Sequence, residues 1–380
     1  MMFTEDDVAP LLRQLVAIPS VNPAFQEGAG EGALAEFVAA YLRELGAFVQ
    51  MQEVYPGRFN VIGRLRNSDA AQGLLLEAHL DTVQVTGMTV EPFGGEIRAG
   101  RLYGRGACDT KASLAAMLLA MRALRDTPPA HEVLLAALVD EEVMFAGARA
   151  LAASGLRAAG AIVGEPTDLH LVIAHKGVVR FHAEVVGKAA HSATPAEGVN
   201  AIEGMLRIIE YLCGERTDLP AAPAHPLTGP PTVCVTRIEG GSGANTVPER
   251  CTIHVDRRVI PGERPEVVYR DLREGIGRAA AGFPGQIVVH EPYLVGDPME
   301  TPPDTPVVRA LASAVTAVTG RSDLVGRPFA TDASVLTAAG IPCVVFGPGS
   351  LQHAHTASES VSLAEVARAA EILVRTAQLF

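Results

Sequence analysis

Side chains of the types that bind metal ions follow short apolar segments at four separate places in this 380-residue chain. The apolar runs and the polar residues after them are Leu74–Leu76 with His79 and Asp81, Val133–Val139 with Asp140, Glu141 and Glu142, Ala161–Val163 with Glu165, and Pro342–Phe346 with His353 and His355. A fifth segment, 104–111, places Asp109 directly before a predicted helix. Imidazole and carboxylate groups together suit zinc or a neighbouring divalent metal such as cobalt or manganese.

These segments contain more carboxylates than one metal ion needs, which predicts two ions bridged by one carboxylate. Paired ions lie ~3.5–4 Å apart and activate water for hydrolysis. The spacing of His79 and Asp81 lets a carboxylate receive the imidazole N–H. Glu141 and Glu142 are adjacent at a strand end, so their side chains should diverge. One can then bind metal while the other acts as general base, as metal-assisted amide hydrolysis requires.

The same apolar runs predict the elements that position these residues. Their hydrophobicity is continuous rather than alternating, which is typical of strands covered on both faces in a mostly parallel sheet. Helical periodicity is found between them, at Asp6–Ala17, Gly32–Leu45, Lys111–Leu124 and Ala146–Ala153. Alternating strands and helices predict an α/β fold. Because ligands in such sheets gather outside the carboxyl ends of the strands, the polar residues should meet in one crevice.

The middle of the chain has a different pattern. Its predicted elements are Val178–Val186 (strand), Val199–Leu212 (helix), Thr232–Ile238 and Arg250–Val259 (strands), Glu266–Ala280 (helix) and Gln286–His290 (strand). This β-α-β-β-α-β order is ferredoxin-like and forms a small α+β domain. We therefore predict a discontinuous catalytic domain, residues 1–174 and 286–380, with a lid or dimerisation domain inserted at 175–285.

Composition excludes several other classes of protein. Hydrophobic residues make up 48% and charged residues 19%, as in a globular chain rather than a disordered one. The net charge of −12 argues against nucleic-acid binding, which needs clustered positive charge. Five scattered cysteines without a CxxC pair indicate a reduced compartment. No signal peptide or membrane-spanning run is recognisable, so we expect a cytoplasmic protein.

Eight segments resemble the di-zinc amidohydrolases and exopeptidases, a family that includes acetylornithine deacetylase, succinyl-diaminopimelate desuccinylase, aminoacylase and glutamate carboxypeptidase. They occur in the family's order and are HLDT (79–82), GRGACDTK (104–111), DEE (140–142), GEPT (164–167), GKAAHSATPAEGVNAI (187–202), GGSGANTVPE (240–249), VDRRVIPG (255–262) and GPGSLQHAH (347–355). The resemblance implies a zinc-peptidase-like catalytic domain with an inserted lid, two divalent ions and, most often, a homodimer. GEPT and the AHKG segment resemble the acetylornithine deacetylase and desuccinylase branch.

The resemblance also implies a role for each matching residue. Asp109 would bridge the two ions, His79 and Glu165 would complete one site, and Glu142 and His355 the other. Glu141 would be the general base that takes a proton from a metal-bound water and later protonates the leaving amine. Asp81 would orient His79. His191 would reach the partner subunit's active site and stabilise the oxyanion. Asn245 and Arg258 would hold the carboxylate or carbonyl of the substrate.

Several alternatives stay open. His353 could replace His355 as the metal ligand, and the Asp-Glu pair usual after that histidine is here Ser358-Glu359. Arg258 could simply form an ion pair with Glu249 or Asp256. Cleavage of a small N-acyl amino acid is the preferred function, and a di- or tripeptidase or carboxypeptidase is the alternative. A non-catalytic metal- or ligand-binding protein of the same fold would be expected to have lost Glu141 or a ligand, and every position is filled.

Overall fold

The computed structural model describes residues 2–25, 28–65, 72–218 and 224–380, with only the backbone for 216–218. The chain forms two compact units. Unit 1 contains Met1–Ile173, Glu300–Val325 and Thr331–Phe380, and unit 2 contains Ala174–Met299 and Gly326–Ala330. Each unit is described separately.

The described helices and strands follow the chain in this order. The helices are α1 (Glu5–Ala17), α2 (Gly32–Glu44), α3 (Lys111–Asp126), α4 (Ala146–Ala153), α5 (Ala201–Asp218), α6 (Pro265–Ala279), α7 (Pro306–Thr319), α8 (Ala333–Ala338) and α9 (Leu363–Leu379). The strands are β1 (Phe48–Tyr55), β2 (Arg58–Arg64), β3 (Leu74–His79), β4 (Glu96–Arg98), β5 (Arg101–Tyr103), β6 (Val133–Leu138), β7 (Gly160–Val163), β8 (Leu171–His175), β9 (Gly177–Val186), β10 (Thr232–Gly240), β11 (Arg250–Val259), β12 (Gln286–Val289), β13 (Leu294–Gly296), β14 (Met299–Glu300), β15 (Leu324–Arg327), β16 (Cys343–Val345) and β17 (Ser360–Ser362).

The large sheet is parallel at its centre. Its strand order is β1-β2-β6-β3-β7-β16-β8-β14. β6, β3, β7 and β16 run parallel to one another, whereas β1 and β2 add an antiparallel hairpin beside β6. β3, β6 and β7 are buried along their whole length, which explains their continuously apolar sequences. The predicted α/β class is confirmed.

Helices cover this sheet and form the core of unit 1 with it. α3 is buried from Lys111 to Met121 and packs against α1 and α9. α9 is not among the predicted helices, and it begins where Ser362 caps it by accepting a hydrogen bond from the backbone N–H of Glu365 at 3.4 Å. Among the described residues, no helix is both long and apolar enough to cross a bilayer.

Unit 2 has the predicted ferredoxin-like pattern. The chain forms β9-α5-β10-β11-α6-β12, and the strand order is β10-β11-β9-β12 with antiparallel neighbours. Phe181, Ile208 and Ile276 belong to the core that α5 and α6 form with the sheet.

The predicted domain boundary at residues 285 and 286 lies too early in the chain. β12 pairs with β9 from Gln286 opposite Val186 onward, and β13 also pairs with β9. Unit 2 therefore continues to Met299 and also takes up the short segment Gly326–Ala330. Both segments are predicted to belong to the catalytic domain, because neither carries a composition change that marks a boundary.

Candidate metal centre

The polar strand ends of unit 1 meet at one edge of the parallel sheet. His79 is the last residue of β3 and lies opposite Leu138, the last residue of β6. β7, on the other side of β3, ends two residues before Glu165. Because these strands are parallel, their carboxyl ends bring His79, Glu165 and the turn 140–142 to the same edge.

Asp109 lies between two histidines that come from distant parts of the chain. Its Oδ1 is 3.1 Å from Nε2 of His79, and its Oδ2 is 3.2 Å from Nε2 of His355. The Nε2 atom of His355 is also 3.0 Å from Oε1 of Glu142. One carboxylate therefore presents a different oxygen to each imidazole, which is the arrangement of a bridging ligand.

Two groups of three ligand atoms converge around His79. One contains His79, Glu141 and Glu165, and the other contains His79, Asp109 and Glu142, with all ligand atoms in a group within 4.8 Å of one another. His355 adds a second imidazole beside Asp109 and Glu142. His353 is exposed, and its backbone N–H donates to the carbonyl oxygen of Ser350 at 2.8 Å.

Asp81 is fully buried and contacts His79, Glu141 and Glu142. Its backbone oxygen lies 2.9 Å from Nδ1 of His79, and its Oδ1 lies 3.5 Å from the same nitrogen. The backbone N–H groups of Glu141 and Glu142 donate to its two carboxylate oxygens at 3.0 and 3.1 Å. Asp81 thus fixes the ring of His79 and the backbone of both glutamates.

Glu359 holds the loop that carries Asp109. Its Oε1 accepts hydrogen bonds from the backbone N–H groups of Cys108 and Asp109 at 2.9 and 3.0 Å, and its Oε2 pairs with Arg105. Cys108 is buried beside it, and burial raises the pKa of the Cys108 thiol. Glu359 therefore orients Asp109, a role that the sequence does not predict for it.

The site carries more negative charge than its imidazoles balance. Burial, and then the charges of neighbouring carboxylates, raise the pKa of Glu141 and of Glu165 well above the usual range. Burial acts in the same direction on Asp109, but hydrogen bonds with His355 and His79 outweigh it and hold its pKa below the usual range. Buried carboxylates that repel one another beside two imidazoles are a donor set that fits divalent cations.

Two further buried acids, Glu77 and Asp332, lie near His79, and the sequence predicts no specific role for either of them. The carboxyl groups of Glu77 and Asp332 are neighbours of each other, and burial raises the pKa of Glu77 well above its usual range. Burial raises the pKa of Asp332 to about 7. The position of Glu77 inside the apolar strand β3 is the sequence signal that could have identified it, since an unpaired charge is costly there.

His191, which is predicted to be catalytic, and the predicted substrate-binding residues Asn245 and Arg258 lie in unit 2. His191 and Asn245 are exposed neighbours, because the N–H of Ser192 donates to the Asn245 carbonyl oxygen at 3.0 Å and His191 forms a β-bridge with Thr246. Arg258 is half-buried and its Nε donates to Oδ1 of Asp256 at 2.8 Å. The ion pair considered as an alternative for Arg258 is therefore present.

Comparison with known proteins gives the family of the chain. Residues 75–379 match peptidase family M20/M25/M40. The chain belongs to this family. It is similar to acetylornithine deacetylase of Proteus mirabilis, with 32% identity over 96% of this chain and 94% of that protein. Membership confirms the assignment to a family of metal-dependent amide hydrolases.

Solved structures of M20 proteins share the fold. An aminopeptidase PepT from Bacillus cereus has a TM-score of 0.81 at 24% identity, with 100% of this chain and 99% of that chain covered. A dinuclear metal-binding peptidase of the M20 family from Bacillus subtilis has a TM-score of 0.72 at 17% identity, with 98% and 97% covered. At these identities the similarity concerns the fold.

Proposed function

We propose that this M20 protein hydrolyses the amide bond of a small N-acyl amino acid and binds two divalent metal ions. We propose zinc as the metal. The observation that carries the proposal is the placement of Asp109, whose two carboxylate oxygens each lie about one hydrogen-bond length from a different imidazole. Similarity to acetylornithine deacetylases over nearly the whole chain supports the substrate class.

The ligand sets proposed here share Asp109. His79 and Glu165 would hold one ion with it, and Glu142 and His355 would hold the other. The bound ions supply Lewis acidity toward water and toward the scissile carbonyl group. Asp81 keeps the Nδ1 side of His79 occupied, so that Nε2 faces the site.

Glu141 carries the proton in this scheme. It takes a proton from the attacking water as the new C–O bond forms, and it gives a proton to the amide nitrogen as the C–N bond breaks. The products are a free amine and a carboxylic acid, so the atoms balance without a further reactant. Burial raises the pKa of Glu141 toward the range in which a carboxyl group can do both.

Unit 2 would supply the substrate contacts. His191 would stabilise the oxyanion in the site of a partner subunit, and Asn245 and Arg258 would hold the substrate's carboxylate or carbonyl. A homodimer follows from the proposed role of His191. We also propose a cytoplasmic location.

A substrate panel tests the function directly. The purified protein is freed of metal with a chelator, reloaded with zinc, cobalt or manganese, and assayed on N-acetylornithine, N-succinyl-diaminopimelate, dipeptides and tripeptides. We expect release of the free amino acid from an N-acyl substrate, and none from the metal-free protein. Hydrolysis confined to the peptides would instead indicate a peptidase, and no hydrolysis with any metal would indicate a non-catalytic binding protein.

A further inference from the structure

A buried polar network in unit 1 lies against the turn Asp140–Glu142, which we call the acidic turn. Its members are Asn22, Glu31 and Arg58, and the mechanism proposed above gives them no task. Asn22 and Glu31 are fully buried. We propose that these three are positioning residues that fix the direction of Glu141 and Glu142; the proposal rests on the function proposed for those two glutamates.

Asn22 joins two carboxylates with a single amide group. Its Nδ2 donates to Oδ2 of Asp81 at 2.8 Å and to Oδ1 of Asp140 at 2.9 Å. Its Oδ1 accepts from the backbone N–H of Ala24 at 3.0 Å. Both amide hydrogens are therefore donated to carboxylates, one to Asp81 beside His79 and one to Asp140 at the start of the acidic turn.

Asn22 is itself held firmly beside the strand end. Its backbone N–H donates to the carbonyl oxygen of Thr82 at 2.9 Å, and the N–H of Thr82 donates to Ser20 at 3.0 Å. A Cβ atom at Gly28 would come within 2.3 Å of the Asn22 carbonyl oxygen, so the chain passes closely over it. The amide thus has a defined place from which to bridge the two acids.

Glu31 and Arg58 hold the acidic turn from the other side. Arg58 pairs with both carboxylate oxygens of Glu31 at 2.6 Å and donates to Oδ1 of Asp140 at 3.0 Å. Oε1 of Glu31 accepts from the backbone N–H of Asp140 at 3.2 Å. One guanidinium therefore compensates two buried acids in a bidentate arrangement that a lysine does not reproduce.

The acidic turn needs this support because of its backbone. Asp140 has φ of 70°, in the left-handed region that non-glycine residues occupy only where their surroundings impose it. The next two N–H groups, of Glu141 and Glu142, donate to Asp81. Asn22 ties Asp81 to Asp140, so both ends of the hydrogen-bonded turn depend on one amide.

Asparagine-to-aspartate substitutions provide the test, since the side chain keeps its shape, loses its two amide donors and presents an acid to Asp81 and Asp140 in their place. We expect Asn22→Asp to weaken zinc binding by the metal-free protein and to lower kcat, each by about 10–100-fold, as is usual for partners of metal ligands. KM should stay within about three-fold, because the network does not touch substrate. Zinc affinity is measured by competition with a chromophoric chelator, and kcat and KM on the best substrate of the panel.

Asn60→Asp is the matched control. Asn60 is equally buried and also makes three hydrogen bonds, to Gln52, Gly147 and Val139, none of them a carboxylate. Both variants should unfold at a lower temperature, but only Asn22→Asp should lose zinc affinity and kcat. Equal losses in the two variants, or no loss in Asn22→Asp, would overturn the proposal.

Arg58 gives a second, independent comparison. Arg58→Lys keeps a charge between Glu31 and Asp140, whereas Arg58→Met keeps the length of the side chain and removes the charge. We expect zinc affinity to fall in the order wild type, Arg58→Lys, Arg58→Met, and equal affinity in all three would contradict the role of the ion pair. If the wild type binds zinc but hydrolyses none of the substrates, the proposed function is wrong. The zinc affinities of the variants then still test whether Asn22, Glu31 and Arg58 position the acidic turn.

Discussion

At the scale of single residues, the adjacent glutamates Glu141 and Glu142 have different surroundings. Burial raises the pKa of both, but the hydrogen bond of Glu142 with the imidazole of His355 opposes this effect, whereas neighbouring carboxylates raise the pKa of Glu141 further. We expect Glu141→Gln to retain zinc and to lower kcat by about 10²–10⁴-fold, because an amide cannot accept the proton from water. Zinc per chain and kcat are measured together. Glu371→Gln, which changes a glutamate paired with Arg375 on α9, is the control and should keep full activity.

His175 permits a prediction about stability against pH. It is fully buried, its Nδ1 lies 2.9 Å from the carbonyl oxygen of Lys176, and burial lowers its pKa to about 4. A lowered pKa means that the unfolded chain binds the proton more readily, so stability is lost as pH falls from about 6.5 to about 4. The full loss from this residue is about 3 kcal/mol.

The variant His175→Asn isolates that contribution, because its side-chain amide retains a donor and does not titrate. We expect its free energy of unfolding, measured with urea on metal-free protein, to be lower than that of the wild type at pH 7. The difference should shrink as the pH is lowered toward 4. A difference that is constant with pH would contradict the buried neutral state of His175.

At the scale of elements, the sequence best predicts those strands and helices whose hydrophobic pattern is determined by their own residues. β3, β6 and β7 are recognisable because burial on both faces requires continuous apolar runs. The hairpin β1–β2 escapes recognition because β1 alternates between exposed and half-buried positions at the sheet edge.

The residues of the candidate site likewise fall into a group that local sequence patterns predict and a group that they do not. The proposed ligands follow strand ends and short motifs, so the sequence predicts that these residues meet. Asn22 and Arg58 support the acidic turn from 118 and 82 residues away along the chain, and no local pattern marks them. Such partners become visible only when the fold brings the segments together.

The loop before α3 offers a test of how one element positions the bridging residue. Glu359 accepts the backbone N–H groups of Cys108 and Asp109 and pairs with Arg105. We expect Glu359→Ala to weaken zinc binding by about 10–100-fold, because Asp109 loses the acceptor that fixes its position although no proposed ligand is itself substituted. Competition with a chelator measures the affinity. Glu371→Ala removes a more exposed ion pair, with Arg375 on α9, and an equal effect there would indicate general destabilisation instead.

At the scale of the whole molecule, unit 1 and unit 2 each have a hydrophobic core of their own. Unit 1 contains the proposed ligands, and unit 2 contains His191 and Asn245 on adjacent exposed segments. If His191 serves the site of a partner in a two-fold dimer, the chains Glu141→Gln and His191→Ala are each inactive alone. A mixed dimer of the two has one site with both residues intact.

Exchange of subunits between these two variants therefore tests the dimer proposal. At equal amounts, random pairing makes half of the dimers mixed, so about a quarter of wild-type activity should return. The exchange itself is followed with differently tagged chains. Recovered activity should rise with the fraction of mixed dimers, because each contributes one intact site. Full exchange without recovered activity would show that His191 does not act across a subunit boundary, and a monomer in solution would exclude the arrangement altogether.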